Sequence, residues 1–213
     1  MSTINTHFTF NYSQPEDYRF SHDSVFLARQ SFELLEGKSL RECRALDIGA
    51  GSGIVGLDFL HHRFANGQNL PKIFDFLEIQ EVYAEHFAVN RKASGLAGCE
   101  LNFMQANYSQ LLLPEFADTY DLVVANPPYF LTEHGLLSPC EFKNRCRFFI
   151  DSDFATLLKG ISNCLKPSGH AYVLLKDLPQ HGWHVVEEAK KYCDVEVLGD
   201  IRGTLFSRLK RIS

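Results

Sequence analysis

This 213-residue chain has no stretch long and apolar enough to span a bilayer, and no signal peptide opens it. Both absences point away from a membrane or secreted protein. Its six cysteines (Cys43, Cys99, Cys140, Cys146, Cys164 and Cys193) include no C-x-x-C pair. Scattered thiols of this kind suit a reducing, cytoplasmic protein and argue against a zinc site, so no metal is expected. Basic charge is not in excess: 21 Lys and Arg stand against 26 Asp and Glu, a net charge of −5. That gives no support to broad, non-specific nucleic-acid binding, although a local basic face stays open. There are no internal repeats and no low-complexity tract. The length and an apolar share of 45% are those of one ordinary globular domain with a sizeable core.

The chain is organised around Arg44-Ala45-Leu46-Asp47-Ile48-Gly49-Ala50-Gly51-Ser52-Gly53-Ile54-Val55-Gly56. Residues 45–48 read as a buried strand, and Ile54, Val55, Leu57 and Leu60 follow at helical spacing. Strand, glycine turn and helix open a Rossmann-like unit. Gly49, Gly51 and Gly53 let the backbone turn tightly and let a ligand approach without meeting a Cβ. Amides at the start of the next helix then face that ligand. The glycines alternate as G-A-G-S-G, unlike the G-x-G-x-x-G of dinucleotide folds, and Asp47 stands just before them. A carboxylate there repels a pyrophosphate and suits a cation, such as the sulfonium and ammonium of S-adenosylmethionine. The other reading is a glycine-rich turn with no ligand.

Alternation of β and α patterns continues. Residues 1–40 predict an arm and a helix that covers the ligand mouth, and residues 41–213 one globular domain. That helix starts at Ser21 and ends near Gly37. Further strands are expected at residues 73–78, 100–104, 121–125, 170–176, 195–201 and 205–212, the last two as a closing hairpin. Helices are expected from Ile54 to about Ala65, over 81–94, over 154–165 with Asp151 as cap, and around 183–192. Residues 131–150 read as irregular, and Lys166-Pro167-Ser168-Gly169 as a turn. The sum is an α/β, doubly wound, mostly parallel seven-stranded sheet with an antiparallel last strand.

Two strand ends carry further chemistry. Glu78 closes the second strand, where an acid can take both hydroxyls of a ribose, with Ile79 beside it. The plain alternative is a solvated acid. Ala106-Asn107 follow the third strand, where the Asn107 oxygen could meet an adenine amine; Asn is also common in turns. After the fourth strand comes Asn126-Pro127-Pro128-Tyr129-Phe130. Two prolines end any strand, so a stiff loop stands at the carboxyl edge of the sheet, where open α/β sheets bind ligands.

Together, the glycine turn, Glu78 and the Asn-Pro-Pro-Tyr segment resemble class I S-adenosylmethionine-dependent methyltransferases that modify a planar nitrogen. Gln14-Pro15-Glu16-Asp17-Tyr18-Arg19-Phe20-Ser21-His22-Asp23-Ser24, joined to that segment, is similar to the bacterial tRNA(Val) adenine-N6-methyltransferases. The general resemblance covers nearly the whole chain. The narrower one rests on these two segments. It implies a Rossmann-like methyltransferase domain, S-adenosyl-L-methionine as donor, S-adenosyl-L-homocysteine as product, and RNA, above all tRNA, as partner, without membrane, metal or obligate protein partner. It assigns cofactor binding to Asp47, Gly49, Ala50, Gly51, Gly53, Glu78, Ile79, Ala106, Asn107 and Asn126. It assigns catalysis to Asn126, Pro127, Pro128 and Tyr129; candidates for substrate contact are Tyr129 and Phe130 of that segment and the basic Lys143, Arg145 and Arg147.

The chemistry fits those residue types. An adenine amine is a poor nucleophile because its lone pair is delocalised into the ring. Acceptors on both of its hydrogens, the Asn126 side-chain oxygen and the Pro127 carbonyl, favour a pyramidal nitrogen with its lone pair aimed at the methyl group. Tyr129 offers a stacking face, and the target base must be turned out of its stack.

The chain departs from the narrower family over residues 136–151, and Asn107 stands where many relatives have Asp. Lys143, Arg145, Arg147, Arg202, Arg208, Lys210 and Arg211 are candidates for phosphate contact; solvated charge is the plain alternative for each. Pro139-Cys140-Glu141 resembles the nucleophile segment of cytosine-C5 methyltransferases but falls after the Asn-Pro-Pro-Tyr loop, so Cys140 reads as an ordinary thiol. His61, His62, His181 and His184 have no partners at metal-ligand spacing. Two other functions stay open: a glutamine-N5 methyltransferase, disfavoured by the short segment before the first strand, and a methyltransferase-like binding protein without catalysis.

Overall fold

A computed structural model describes residues 11–201 and 203–212. Arg202 and the first ten residues of the predicted arm lie outside the described residues. The elements run α1 (His22–Leu34), β1 (Arg44–Ile48), α2 (Ile54–Ala65), β2 (Ile73–Glu78), α3 (Val82–Ser94), β3 (Glu100–Gln105) and β4 (Tyr120–Ala125). They continue with α4 (Glu141–Arg147), α5 (Phe154–Cys164), β5 (Leu165–Leu175), α6 (Val185–Ala189), β6 (Cys193–Asp200) and β7 (Leu205–Arg211). One seven-stranded sheet has the order β3-β2-β1-β4-β5-β7-β6. β7 is antiparallel to both of its neighbours, and the other pairings are parallel. The expected doubly wound, class I architecture is therefore the observed one.

β1, β2 and β4 are near-continuous apolar runs because helices cover both of their faces. One face packs Leu27 and Phe32 of α1, Leu57 and Phe59 of α2, and Phe87 of α3 against Phe74 and Phe76. The other packs Leu157, Leu158 and Ile161 of α5 against Leu46, Ile48 and Val123. α1 thus belongs to the same core as the strands. Buried Arg63 ties its end down, donating to the carbonyls of Leu35, Lys38 and Asn69.

Four expectations need correction. The segment read as irregular holds α4 and a 3-10 turn at Thr132–His134. α4 has only seven residues and weak intrinsic propensity. Tertiary contacts hold it: the Asn144 amide brackets the Ser138 backbone, and Phe142 meets the rings of Tyr18 and Tyr83. α5 is capped by Asp153, whose carboxylate accepts from Thr156 N; Asp151 pairs with Arg145 instead. The expected turn at residues 166–169 is an excursion inside β5, where the register jumps between Tyr120↔Leu165 and Leu122↔His170. The helix around 183–192 shortens to α6. Among the described residues no helix is long and apolar enough to cross a membrane, and no group of three or more His, Cys, Asp or Glu could hold a metal ion.

Candidate active site

The chain winds from β1 outward to β3, then returns to β4 beside β1 and winds the other way. Crevices at such a switch point, outside the carboxyl ends of the strands, are where open α/β sheets bind ligands. A cavity of about 240 Å³ lies there. Its floor is made by the turn after β1, Glu78 and Ile79 at the end of β2, Ala106 and Asn107 after β3, and the loop Asn126-Pro127-Pro128-Tyr129-Phe130 after β4. One wall is the segment before α1 with the start of that helix, including Tyr18, Phe20 and Ser24. The other wall runs from Arg145 to Ser152. Phe142 packs against two lining residues, its ring 6.4 Å from that of Tyr18 and 5.5 Å from that of Tyr83.

The glycine turn holds because its three glycines take positive φ: 68° at Gly49, 54° at Gly51 and 85° at Gly53. Gly49 and Ala50 donate to the Leu77 carbonyl at the tip of β2, at 2.9 and 3.0 Å. A Cβ on Gly49 would meet nothing within 4 Å. Gly53 is different. A Cβ there would stand 2.7 Å from the Phe87 ring, so its bareness serves the packing of α2 on α3. Gly53 does not line the cavity, against the expectation that all three glycines admit a ligand.

Glu78 ends β2. It is buried, yet it lines the cavity, with Oε2 accepting from Gly51 N at 2.9 Å and Oε1 from Gln80 N at 2.8 Å. Burial pushes its pKa up. Those amides and the charge of Arg145 pull against that rise.

Asp47 departs from the expected geometry. It is 1% exposed and lies behind the turn, outside the cavity lining. Its Oδ2 accepts from Gly56 N at 2.9 Å, so that helix-start amide is already taken. Oδ1 is buried with no hydrogen-bond partner. Burial, and then the charge of Glu78, push the carboxyl up to about 8. In this arrangement the group is a protonated acid at neutral pH rather than a carboxylate facing a cation.

Asn107 lines the cavity, but its oxygen accepts from Ser109 N at 2.8 Å to cap a 3-10 turn, while its amide donates to the Asp151 carbonyl. The oxygen expected to meet an adenine amine is thus engaged in the protein itself.

Asn126 Nδ2 donates to Ser24 Oγ at 2.9 Å, and Asn126 Oδ1 accepts from the Tyr129 hydroxyl at 2.5 Å. The loop is clamped from outside: Tyr129 N and Phe130 N both donate to the Arg147 carbonyl, and Phe149 N donates to the Phe130 carbonyl. The Arg147 guanidinium lies over the rings of Phe130 and Phe148, at 5.6 and 5.9 Å. Burial raises the Tyr129 pKa, so its hydroxyl stays protonated.

The basic candidates separate. Arg145 and Arg147 line the cavity, whereas Lys143 does not. Arg145 is held bidentately by Asp151. Arg208 is paired with Glu196, and Arg211 with Asp118, which precedes β4 at the opposite edge of the sheet. That removes Arg211 from any contact at the cavity. Reading the chain alone missed Gln80, Tyr83 and Cys146 in the lining, where Cys146 Sγ is 3.3 Å from the Tyr83 hydroxyl. It also missed the contact of Ser24 with Asn126, for which the one signal was the place of Ser24 in the segment shared with a family.

Residues 21–132, just over half of the chain, match a family model described as lysine methyltransferase. Among curated proteins, the chain is similar to a tRNA1(Val) (adenine(37)-N6)-methyltransferase of Shewanella sp. (strain W3-18-1). The two are 30% identical over 147 residues, which cover 68% of this chain and 58% of that relative's length. Among solved structures, a T. thermophilus 16S rRNA N2 G1207 methyltransferase bound to AdoMet and guanosine aligns with a TM-score of 0.63 at 14% identity. That alignment covers 92% of this chain and 45% of that one. The ribosomal protein L11 methylase of Lactobacillus delbrueckii subsp. bulgaricus aligns with a TM-score of 0.59 at 17% identity, covering 92% of this chain and 81% of that one. Identities this low speak for the fold alone.

Proposed function

This chain belongs to the family that the lysine methyltransferase model describes, within the class I methyltransferases, and on that premise we propose that it methylates the N6 amine of an adenine in RNA, in the first place a tRNA, with S-adenosylmethionine as donor. The observation that carries the reading is the placement of Asn126 and Pro127 at the tip of β4, in one cavity with Gly49, Gly51 and Glu78.

The residues present fit the donor. Gly49 and Gly51 offer a cradle that side chains would fill, and Glu78 is an acceptor at a strand tip in the same cavity. Glu78 would hold the ribose hydroxyls, Ile79 and Ala106 the adenine, and the glycine turn the methionyl end. When bound, S-adenosylmethionine supplies an electrophilic methyl group on a sulfonium.

The chain's own part is positioning. Asn126 Oδ1 and the Pro127 carbonyl accept the two N–H groups of the target amine. Proline contributes no amide hydrogen to compete. The target nitrogen then bonds the methyl carbon as the carbon–sulfur bond breaks, and its surplus proton passes to water. Holding both reactants in line supplies the rate without a protein nucleophile. The Tyr129 ring stacks on the base, an interaction of about 1–3 kcal/mol. A lysine ammonium has neither a delocalised lone pair nor a planar face, so it has no use for this pair of acceptors and stacking ring. Residues 11–40 serve as a wall over the donor. Six free cysteines support a reducing, cytoplasmic setting.

The test is nucleoside mass spectrometry of tRNA from cells lacking the protein, together with transfer of labelled methyl groups to total RNA and to total protein. The expected result is loss of N6-methyladenosine and label in RNA. Label in protein alone refutes the reading.

A further inference from the structure

Asn126 can do its work only if its side-chain amide faces the right way. The carbonyl end is an acceptor and the NH2 end is a donor; turned by 180°, the same residue would push a donor at the target amine. Something must therefore choose between the two orientations, and the residues around Asn126 make that choice.

On one side stands Tyr129. Burial keeps its hydroxyl protonated, so the phenolic proton is there to be donated. That proton goes to Asn126 Oδ1 at 2.5 Å. On the other side stands Ser24, in the first turn of α1 and 102 residues away in the chain. It is 7% exposed, lines the cavity, and its Oγ accepts from Asn126 Nδ2 at 2.9 Å. The direction of donation is consistent along the line Tyr129, Asn126, Ser24. Reversing the amide would require the Tyr129 and Ser24 hydroxyls both to turn their protons and exchange roles.

We propose that Ser24 is a positioning residue for methyl transfer: by accepting from Asn126 Nδ2 it keeps Oδ1 turned toward the target amine. The proposal rests on the reading that Asn126 carries the transfer. Ser24 touches neither reactant in this role; it acts through Asn126. Without its oxygen, Nδ2 loses its acceptor, and the turned amide becomes competitive with the productive one. A neutral hydrogen bond of ordinary strength then sets the loss at about tenfold in kcat. Occupancy of the donor cradle is unaffected, so KM for the donor stays within about twofold.

The assay is labelled transfer from S-adenosylmethionine to bulk tRNA from cells lacking the protein, with Ser24→Ala, Ser24→Thr and Ser31→Ala compared. Ser31 is a suitable control because it is on the same helix, fully buried, and its hydroxyl has no hydrogen-bond partner. Ser24→Ala should lower kcat about tenfold, Ser24→Thr should restore most of it, and Ser31→Ala should leave it unchanged. A readout apart from activity is the side-chain amide cross-peak of Asn126 in an NMR spectrum, assigned by its loss in Asn126→Ala. It should move in Ser24→Ala and return in Ser24→Thr. An unmoved cross-peak, or full kcat in a folded Ser24→Ala protein, overturns the proposal. Full turnover in Asn126→Ala would instead overturn the functional reading beneath it, so the two failures are distinguishable.

Discussion

Replacing Asp47 with asparagine tests the electrostatics of the glycine turn directly. In an unfolded chain an aspartic acid titrates near 4. In the folded protein burial pushes this one up to about 8. Between those values the folded state holds a proton that the unfolded state has lost. Stability therefore falls as pH rises through the window, and the loss is complete above the folded value. Each unit is worth about 1.4 kcal/mol, so the drop from pH 5 to pH 8 reaches about 4 kcal/mol at the ceiling. At about 2–4 °C per kcal/mol for a chain of this size, that is about 10 °C in Tm. The carboxamide of the Asp47→Asn variant cannot titrate. It carries a constant penalty for a buried NH2 without a partner, about 1–3 kcal/mol, but that offset does not vary with pH. Glu78, also raised by burial, titrates in both proteins, so its own burial cost drops out of the difference and only its coupling to Asp47 remains in it. The measurement is thermal unfolding of both proteins at intervals from pH 5 to pH 8. The Tm of the variant relative to the natural protein should climb across the range. Two parallel curves would refute the reasoning, because they would mean that Asp47 is ionised in the fold as freely as in water.

Other substitutions separate packing from chemistry. Gly53→Ala places a Cβ 2.7 Å from Phe87 at a φ of 85°, and should destabilise the fold by about 2–4 kcal/mol in chemical denaturation. The protein that remains folded should bind S-adenosylhomocysteine almost normally by calorimetry. Glu78→Ala should weaken that binding by about 10- to 100-fold, since it removes a charged acceptor worth about 1.5–3 kcal/mol. Asn126→Ala should keep the affinity and lose turnover by several orders of magnitude in single-turnover transfer. Tyr129→Ala should cost the RNA about 1–3 kcal/mol of binding, read from KM, and Tyr129→Phe should recover the stacking part of it.

Several elements were legible because local pattern decides them. The apolar runs of β1, β2 and β4 can only be buried strands between helices. Gly95 ends α3 in the left-handed conformation, as its position implied. The two prolines after Ala125 had to stop β4, which puts Asn126 at its tip. α4 was not legible. Seven residues with a central Asn cannot nucleate a helix, and rings from distant segments make this one. Its consequence is functional, since the chain beyond α4 turns back to clamp the Asn-Pro-Pro-Tyr loop and to wall the cavity.

By itself the chain determined which residue types stand at the strand ends: an acid and glycines at the end of β1, an acid at the end of β2, an amide and prolines after β4. Spacing carries that information, because a parallel sheet delivers every strand end to one edge. Only the tertiary structure decided what each group faces. Asp47 points to a helix amide and Gly53 to a phenylalanine, while Ser24 reaches an asparagine a hundred residues on. Those outcomes depend on how helices far apart in sequence lean on the sheet, and periodicity along a single chain holds no record of that angle.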